Sequence, residues 1–460
     1  VWRVASVFWA GEVAHVGNLR AALGLSALLS LCASVTAADT GRAQCCSSLS
    51  PELPPVTHYG ASLYREEDPL GPFRFDPPLV RDSEQSIETL ESEVETLESL
   101  AGPMAARLSR PVAELGYASL SQDRVTEAVD YLQRAVHLVR INRGLYTPAQ
   151  EAMLEQLIAA HLRLGDFAAA DEQQAYLYRV RQYQEQNPAS PRMREATLHY
   201  ADWMRGVYLG DMDRLRYPRL VGLNDLYENA IENIEASEGE YSRALLPYLQ
   251  GHIDLCYLVS VYPGEQQSGV RITGGPAMDA SLANQAQLRF WRMRDYNFRY
   301  GREALERAEA VLQANPDSSA QELANARIAR ADWYQWHRRY AKAIRLYEEA
   351  WDIMAGEEGG ADWLQREFAA PLELPRSRVF NPGAVPLEAQ NNAQVQMGFR
   401  VTRHGEARDI QILTETTDEQ VQLTLTRAYH YLRNVRFRPS LKNGKVVAAK
   451  DLQRTYQVRY

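Results

Sequence analysis

The spacing of apolar residues changes twice along this chain. Residues 21–38, AALGLSALLSLCASVTAA, form one uncharged run behind Arg20. From about 83 to 355 apolar positions recur at helical spacing, and from 394 they alternate. The helical part opens with SIETLESEVETLESL. Here Ile87, Leu90, Val94, Leu97 and Leu100 fall three or four residues apart and draw one stripe along a helix with an acidic outer face. ETLES recurs at 88–92 and 95–99, but two heptads are too short for a coiled coil, so a single amphipathic helix is expected.

Further on, small residues pair with large neighbours. Leu115-Gly116 precedes Ala128, Leu132 and Ala135; Gly165-Asp166-Phe167 leads to Ala170; Ala304 and Ala308 precede Pro316. Ala343, Tyr347 and Ala350 lie in ADWYQWHRRYAKAIRLYEEAW. Helices stack closely where small residues let backbones approach and a large side chain fills the hole opposite, and Pro or Gly-Asp ends each hairpin. These segments resemble tetratricopeptide repeats, best over 329–351 and less closely at 115–137 and 157–179. The interval is 42 from Ala128 to Ala170 and 39 from Ala304 to Ala343, longer than the roughly 34 residues of that family. The expected fold over 83–355 is therefore mainly α, an irregular α-solenoid of helical hairpins, degenerate between 190 and 300. The resemblance implies a long concave surface that holds a peptide or protein segment. Most aromatics at helical spacing are expected in the core; Tyr334, Arg338 and Arg339 are the candidates for a wet, partner-binding face.

Residues 356–393 read as a linker, from Gly356, Gly359 and Gly360 through Pro371, Pro375, Pro382 and Pro386 to Asn391 and Asn392. Beyond it Val395, Met397, Phe399 and Val401 alternate with Gln396, Gly398 and Arg400, the pattern of a half-buried strand. Arg403-His404-Gly405 is a tight turn with Gly405 suited to positive φ, and a second strand follows through Ile410 and Ile412. Thr416-Thr417-Asp418-Glu419 has capping-box spacing and opens a helix to about Asn434. VRFRPS returns to strand, Asn443-Gly444 is a hairpin turn, and Leu452, Tyr456, Val458 and Tyr460 end the chain. The order β-β-α-β-β predicts a small α+β domain over 394–460.

That segment resembles the TonB carboxyl-terminal domain. The likeness rests on Val435-Arg436-Phe437-Arg438-Pro439 followed by Asn443-Gly444, with Gly405 in support. It implies a binding module at a Gram-negative envelope, with Gly405, Arg436, Phe437, Pro439, Asn443 and Gly444 as structural motif residues. Phe437 is expected to plug the core between helix and sheet. An extended partner would add to the edge of the last strand, along Tyr456, Gln457, Val458, Arg459 and Tyr460; the alternative is an edge merely protected by Arg454 and Arg459. Energy transducers of that family join this domain to an uncleaved anchor through a long Pro/Lys-rich spacer. Here helical repeats take the spacer's place, so energy coupling does not follow from the resemblance.

Composition narrows the setting. With 460 residues, 45% hydrophobic and 24% charged, the chain is neither disordered nor collagenous. The net charge of −9 excludes a general nucleic-acid binder. It is unevenly spread: residues 391–460 carry 12 Lys/Arg against 6 Asp/Glu, a net +6, which leaves −15 on the rest. The apolar run is strongly so only from Ala21 to Ala33, short of the roughly 20 residues of a spanning helix. Val35-Thr36-Ala37 supplies small residues for cleavage. Residues 1–37 are expected to be a secretory signal, with an uncleaved anchor as the alternative, and 38–82 a polar, Pro-rich lead-in. Of four cysteines, Cys45 and Cys46 lie in that lead-in and Cys256 reads as a plain buried residue.

No motif for catalysis emerges. The nine histidines are scattered, and no His-Glu-x-x-His, Cys-x-x-Cys or Gly-x-Ser-x-Gly occurs. His252, Asp254 and Cys256 make the best metal-like cluster, but no third partner for the His252/Cys256 pair is identifiable. The run Glu88, Glu91, Glu95 and Glu98 reads as a solvated face. No cofactor, metal or catalytic residue is expected. The expected function is a non-catalytic adaptor, periplasmic or outer-membrane associated. Its partners would be envelope proteins or peptides, including an outer-membrane receptor, with no nucleic acid, and with membrane contact only through the signal or anchor or an envelope partner. The alternative is a TonB-type transducer anchored in the inner membrane and facing the periplasm.

Overall fold

The computed structural model describes residues 63–65, 86–209, 216–262, 277–375, 392–415 and 419–459. The expected signal and its cleavage site, Cys45 and Cys46, Thr416 to Asp418 and Tyr460 lie outside them. A short strand β1 (Leu63–Arg65) precedes a long run of helices: α1 (Ile87–Ala101), α2 (Ser109–Ser121), α3 (Val125–Arg143), α4 (Glu151–Leu164), α5 (Phe167–Gln184), α6 (Pro191–Leu209) and α7 (Arg216–Glu238). After them come α8 (Leu246–Ser260), α9 (Ala277–Asp295), α10 (Asn297–Ala314), α11 (Ala320–Trp336), α12 (Tyr340–Met354) and α13 (Gly360–Phe368). The chain is thus a mainly helical repeat followed by a small region of strands and one helix.

The helix boundaries obey capping chemistry. Ser86 accepts from the Thr89 amide at the start of α1, Gly165 ends α4 in the left-handed region, and Asp166 caps α5 through the Ala169 amide. Ser319 and Glu322 form a reciprocal capping box on α11. In α1, Ile87, Leu90 and Val94 are buried, but Leu100 is 78% exposed, so the predicted stripe runs out before the helix does. Sequential helices pack as hairpins, α2 on α3, α4 on α5, α6 on α7 and α11 on α12, while α8 packs on α10. The last pairing skips α9, which lies against α7.

Close approach depends on glycine facing a large side chain. A Cβ at Gly116 would lie 2.6 Å from Leu132 Cγ, at Gly251 2.4 Å from the Tyr227 ring, and at Gly301 2.4 Å from the Trp333 ring. Each contact joins two helices and works only with hydrogen on the smaller partner.

The carboxyl-terminal region contains β3 (Asn392–Val401), β4 (Ala407–Ile412) and α14 (Glu419–Asn434), preceded by β2 (Leu372–Glu373). It closes with β5 (Phe437–Arg438), β6 (Ser440–Lys442), β7 (Lys445–Val447) and β8 (Ala449–Arg459). One antiparallel sheet has the order β1-β8-β3-β4. Its buried face, Val395, Met397, Phe399, Val401 and Tyr456, packs on Ala428 and Leu432 of α14, and Phe437 is fully buried among them. The strand expected from VRFRPS is split: β5 pairs with β2 and β6 with β7. Pro439, which has no N–H to donate, sits at the break.

The segment read as a linker needs correction over 356–375. Gly359, at φ +72°, starts α13, whose Trp363, Leu364 and Phe368 join the core of α11 and α12. Next comes β2, and Leu374 donates its amide to the Arg436 carbonyl. Glycines and prolines suggested a flexible connection. Here they mark a helix start and strand ends, because the apolar residues between them have a docking face.

Candidate interaction surfaces

The α+β region is bolted to the last helical hairpin rather than tethered to it. Arg438, 2% exposed, donates to both carboxylate oxygens of Asp332 at 3.0 and 2.7 Å and to Glu367 at 2.5 Å. Asp332 also accepts from the Tyr347 hydroxyl at 2.8 Å. Burial by itself would lower the Arg438 pKa; the charge and hydrogen bonds of Asp332, with further help from Glu367, override it and hold it above its usual value. A second knot forms at Glu373 in β2. It accepts from Arg454 at 2.9 Å, Tyr456 at 2.6 Å and Tyr431 at 3.1 Å. Gln335 of α11 donates to the His404 carbonyl at 2.6 Å and the Phe437 carbonyl at 3.0 Å. On the exposed side Lys445 pairs with Glu348 at 3.0 Å. The basic region therefore lies against acidic groups of the helical body.

Among the predicted motif residues, Gly405, Phe437 and Gly444 meet the helical body. Gly405 has φ +68°, and a Cβ there would lie 2.0 Å from the Phe437 carbonyl oxygen and 2.1 Å from Gln335 Nε2. It donates to Thr402 and accepts from the Phe437 amide. Arg436 is buried and donates to the carbonyls of Asn434 and Val435. Pro439 is buried. Asn443 and Gly444, at φ +50° and +73°, turn the β6–β7 hairpin, and Gly444 faces the Trp351 ring.

The expected strand edge is different from the prediction. Tyr456 is fully buried and hydrogen-bonded to Glu373, so it belongs to the core. Gln457, Val458 and Arg459 pair with Gln394, Ala393 and Asn392 of β3, respectively. On the other side of β8, Tyr456, Gln457 and Val458 pair with β1 through Arg65, Tyr64 and Leu63. The edge is already filled by the chain itself, which no local pattern around 456–460 reveals.

Of Tyr334, Arg338 and Arg339, the first and last meet the same ring. Tyr334 is half-buried and meets Phe298 edge-on at 5.5 Å. The Arg339 guanidinium covers the same Phe298 ring at 3.9 Å. Arg338, exposed and at φ +59°, makes the turn from α11 to α12. Sequence reasoning missed a larger concentration of the same chemistry next to it, in LRFWRMRDYNFRY at 288–300. There Leu288, Trp291 (43% exposed) and Tyr296 (50%) are open to solvent. Arg294 lies over Trp291 at 5.3 Å, and Arg299 lies over Tyr296 and Tyr300 at 5.1 and 5.5 Å. The alternation of Arg with aromatic residues was the signal available. Arginine stacked on an exposed ring presents apolar area and fixed donors at once, the composition of interface anchors. A cleft of about 320 Å³ also opens between α5, α6 and α7, walled by the stacked rings of Tyr178 and Tyr200 over Met193, Met204 and Leu226.

The metal-like cluster offers less. Burial lowers the pKa of half-buried His252 to about 4. Cys256 is a buried free thiol whose pKa is raised by burial, then by Asp254, the opposite of an activated cysteine. Among the described residues no group of three His, Cys, Asp or Glu is placed to hold a metal ion. Among them, too, no helix is long and apolar enough to cross a membrane.

No protein-family model matches the sequence, and no curated protein matches it. Among solved structures the chain is similar to BtubC (BKLC) from P. vanneervenii, with TM-score 0.30 and 14% identity over 59% of this chain and 92% of that one. It is also similar to a Podosopora anserina putative kinesin light chain with nearly identical TPR-like repeats, with TM-score 0.32 and 15% identity over 54% and 96%. These likenesses are too distant to carry an argument; the helical-hairpin architecture rests on the packing of this chain's own helices.

Proposed function

We propose that this protein is a non-catalytic adaptor of the bacterial envelope, binding protein segments through its helical repeat, with a TonB-like module docked at the carboxyl end. The observation that carries the binding role is the Arg-covered aromatic surface at 288–300, with Trp291 and Tyr296 exposed. Partly exposed rings of this size, near exposed Leu288 and covered by arginine, have the composition of interface anchors. The arginines over them select a segment that carries carboxylates. The envelope setting is supported by the apolar run at 21–33 with its small-residue cleavage pattern. The TonB-like reading is supported by the order β3, β4, α14, β8 and by the placement of Gly405 and Phe437 at the turn and in the core.

A photo-crosslinking side chain at Tyr296 in the full chain, expressed in its native cell, tests the binding role. Discrete adducts that vanish with Arg299→Glu and are missing when the probe sits at Glu228 support it. The same adducts at both positions, or none, overturn it. Cell fractionation tests the setting: a processed envelope chain is expected, and a cytosolic chain rejects it.

A further inference from the structure

We infer that the edge of the helical repeat where α1, α3 and α5 end is a ridge that lays its apolar tips into an anionic lipid surface. The inference rests neither on the surface at 288–300 nor on the carboxyl-terminal module. Leu100 lies in the last turn of α1 and Met104 in the connection after it. Ile141 lies in the last turn of α3, Leu145 in the connection after it, and Tyr183 in the last turn of α5. Each of the five is half exposed or more. They are neighbours in space. Arg134 of α3 pairs with Glu98 of α1, and Asn142, next to Ile141, donates to the Met104 carbonyl at 3.0 Å. The Tyr146 ring, next to Leu145, lies 4.6 Å from the Tyr183 ring. A single exposed Leu is ordinary, but apolar tips in a row on successive hairpins mark a contact surface.

Charge and backbone chemistry point to lipid as the occupant. Residues 99–110 and 131–150 hold five arginines and no Asp or Glu, although residues 1–390 are net −15. Arg107 and Arg143 are exposed and form no ion pair among the described residues. The adjoining carboxylates are already taken, Glu98 by Arg134 and Glu151 by Arg181 and Arg192. The ridge is therefore locally cationic on an acidic body, which complements the phosphates of an anionic bilayer. Carbonyls in connecting turns are commonly left to water. Here the Met104 carbonyl accepts from Asn142, that of Leu145 from Gln150 and Tyr176, and that of Tyr146 from Gln184. Backbone groups satisfied within the chain leave bulk water at little cost, which is what entry into a lipid interface requires. A protein partner matches polar groups as well as apolar ones, and these carbonyls are already spent. Leu100, Met104, Ile141 and Leu145 would enter the acyl boundary, Tyr183 would sit at headgroup level, and the arginines would reach phosphates from the rim.

The test uses the full chain with an environment-sensitive fluorescent side chain in place of Tyr183. The probe surface is a vesicle of equal parts phosphatidylcholine and phosphatidylglycerol carrying nitroxide lipid. The apolar run at 21–33 can bring the chain to a bilayer by itself, so the readout is local, with the same fluorophore at exposed Glu228 as reference. Quenching at 183 is expected to exceed that at 228 by about fivefold or more, because interfacial residues sit among headgroups and acyl chains. It should fall to the level at 228 on phosphatidylcholine alone. It should fall likewise in Arg107→Glu with Arg143→Glu and in Met104→Ser with Leu145→Ser, exposed pairs whose replacement leaves helix content by circular dichroism unchanged. Equal quenching at the two positions, quenching independent of the anionic lipid, or quenching that survives either variant pair overturns the inference. So does a fluorophore at 183 that becomes shielded on raising protein concentration without lipid, which assigns the ridge to a second copy of the chain.

Discussion

Replacing Arg438 by Met would remove the cation that two helices and a strand are built around. Asp332 and Glu367 are only 6% and 4% exposed, so neither carboxylate gains water when the guanidinium disappears. Removing one partner from a buried pair costs about 3–5 kcal/mol, mostly through the uncompensated charge left behind. Tyr347 still donates to Asp332, which places the expected loss toward the lower end of that range. The pH dependence has a definite sign. In the variant a buried carboxyl without its cation has a raised folded-state pKa, so its protonated form is favoured. The penalty is therefore largest at neutral pH and shrinks as pH falls and the carboxyl takes up its proton. Urea unfolding followed through tryptophan fluorescence reads this directly, because Trp333 neighbours Asp332 in sequence and Trp363 lies in the same core as Tyr347. Joint replacement with Asp332→Leu and Glu367→Leu should recover most of the loss, since an apolar substitute for a complete ionic cluster is often neutral. A single Arg438→Met variant within about 0.5 kcal/mol of the parent, a size typical of ordinary surface changes, would refute the reasoning. So would a loss that does not vary with pH.

Other expectations concern packing, the turn and acid stability. Gly301→Ala places a Cβ about where the Trp333 ring lies and should cost about 1–3 kcal/mol by overpacking; a thermal midpoint equal to the parent's would show that α10 and α11 separate without penalty. Gly405→Ala combines a positive φ with a methyl against the Phe437 carbonyl. It should speed amide exchange in β5 and α14 while leaving α2 to α5 protected; uniform protection would argue against a junction role. Burial lowers His252 to a pKa of about 4, and burial followed by Arg339 does the same for His337. Both stay neutral in the fold below the unfolded value of 6.5. Their contribution to stability is complete above pH 6.5 and is lost as pH falls toward 4, at up to about 1.4 kcal/mol per pH unit each. His252→Asn with His337→Asn should flatten that limb of a stability–pH curve, and an unchanged slope counts against it.

By itself the sequence determined what short-range physics controls. Apolar residues at helical spacing, caps such as Ser86, Asp166 and Ser319, and turn residues such as Gly405 and Asn443-Gly444 specify helices, strands and hairpins because their partners lie a few residues away. The pairing of small with large positions foretold close helix packing, although the partner of Gly301 was legible only once Trp333 was seen against it. What lay beyond reach were choices made between distant segments. Asp332 and Gln335 share a helix with Ala324, Ile328 and Ala331, and a carboxylate on an apolar face is a signal of a buried partner. Nothing local identifies that partner as Arg438, 106 residues away. Glu373 looked like part of a linker until Arg454 and Tyr456 converged on it, and the edge of β8 looked open until Leu63–Arg65 filled it. Backbone groups and buried charges are satisfied by whichever segment the tertiary fold brings within about 3 Å. Composition and periodicity carry no record of that distance, so the tertiary structure alone decided that the carboxyl-terminal module is fixed to the repeat and capped by the chain that leads into it.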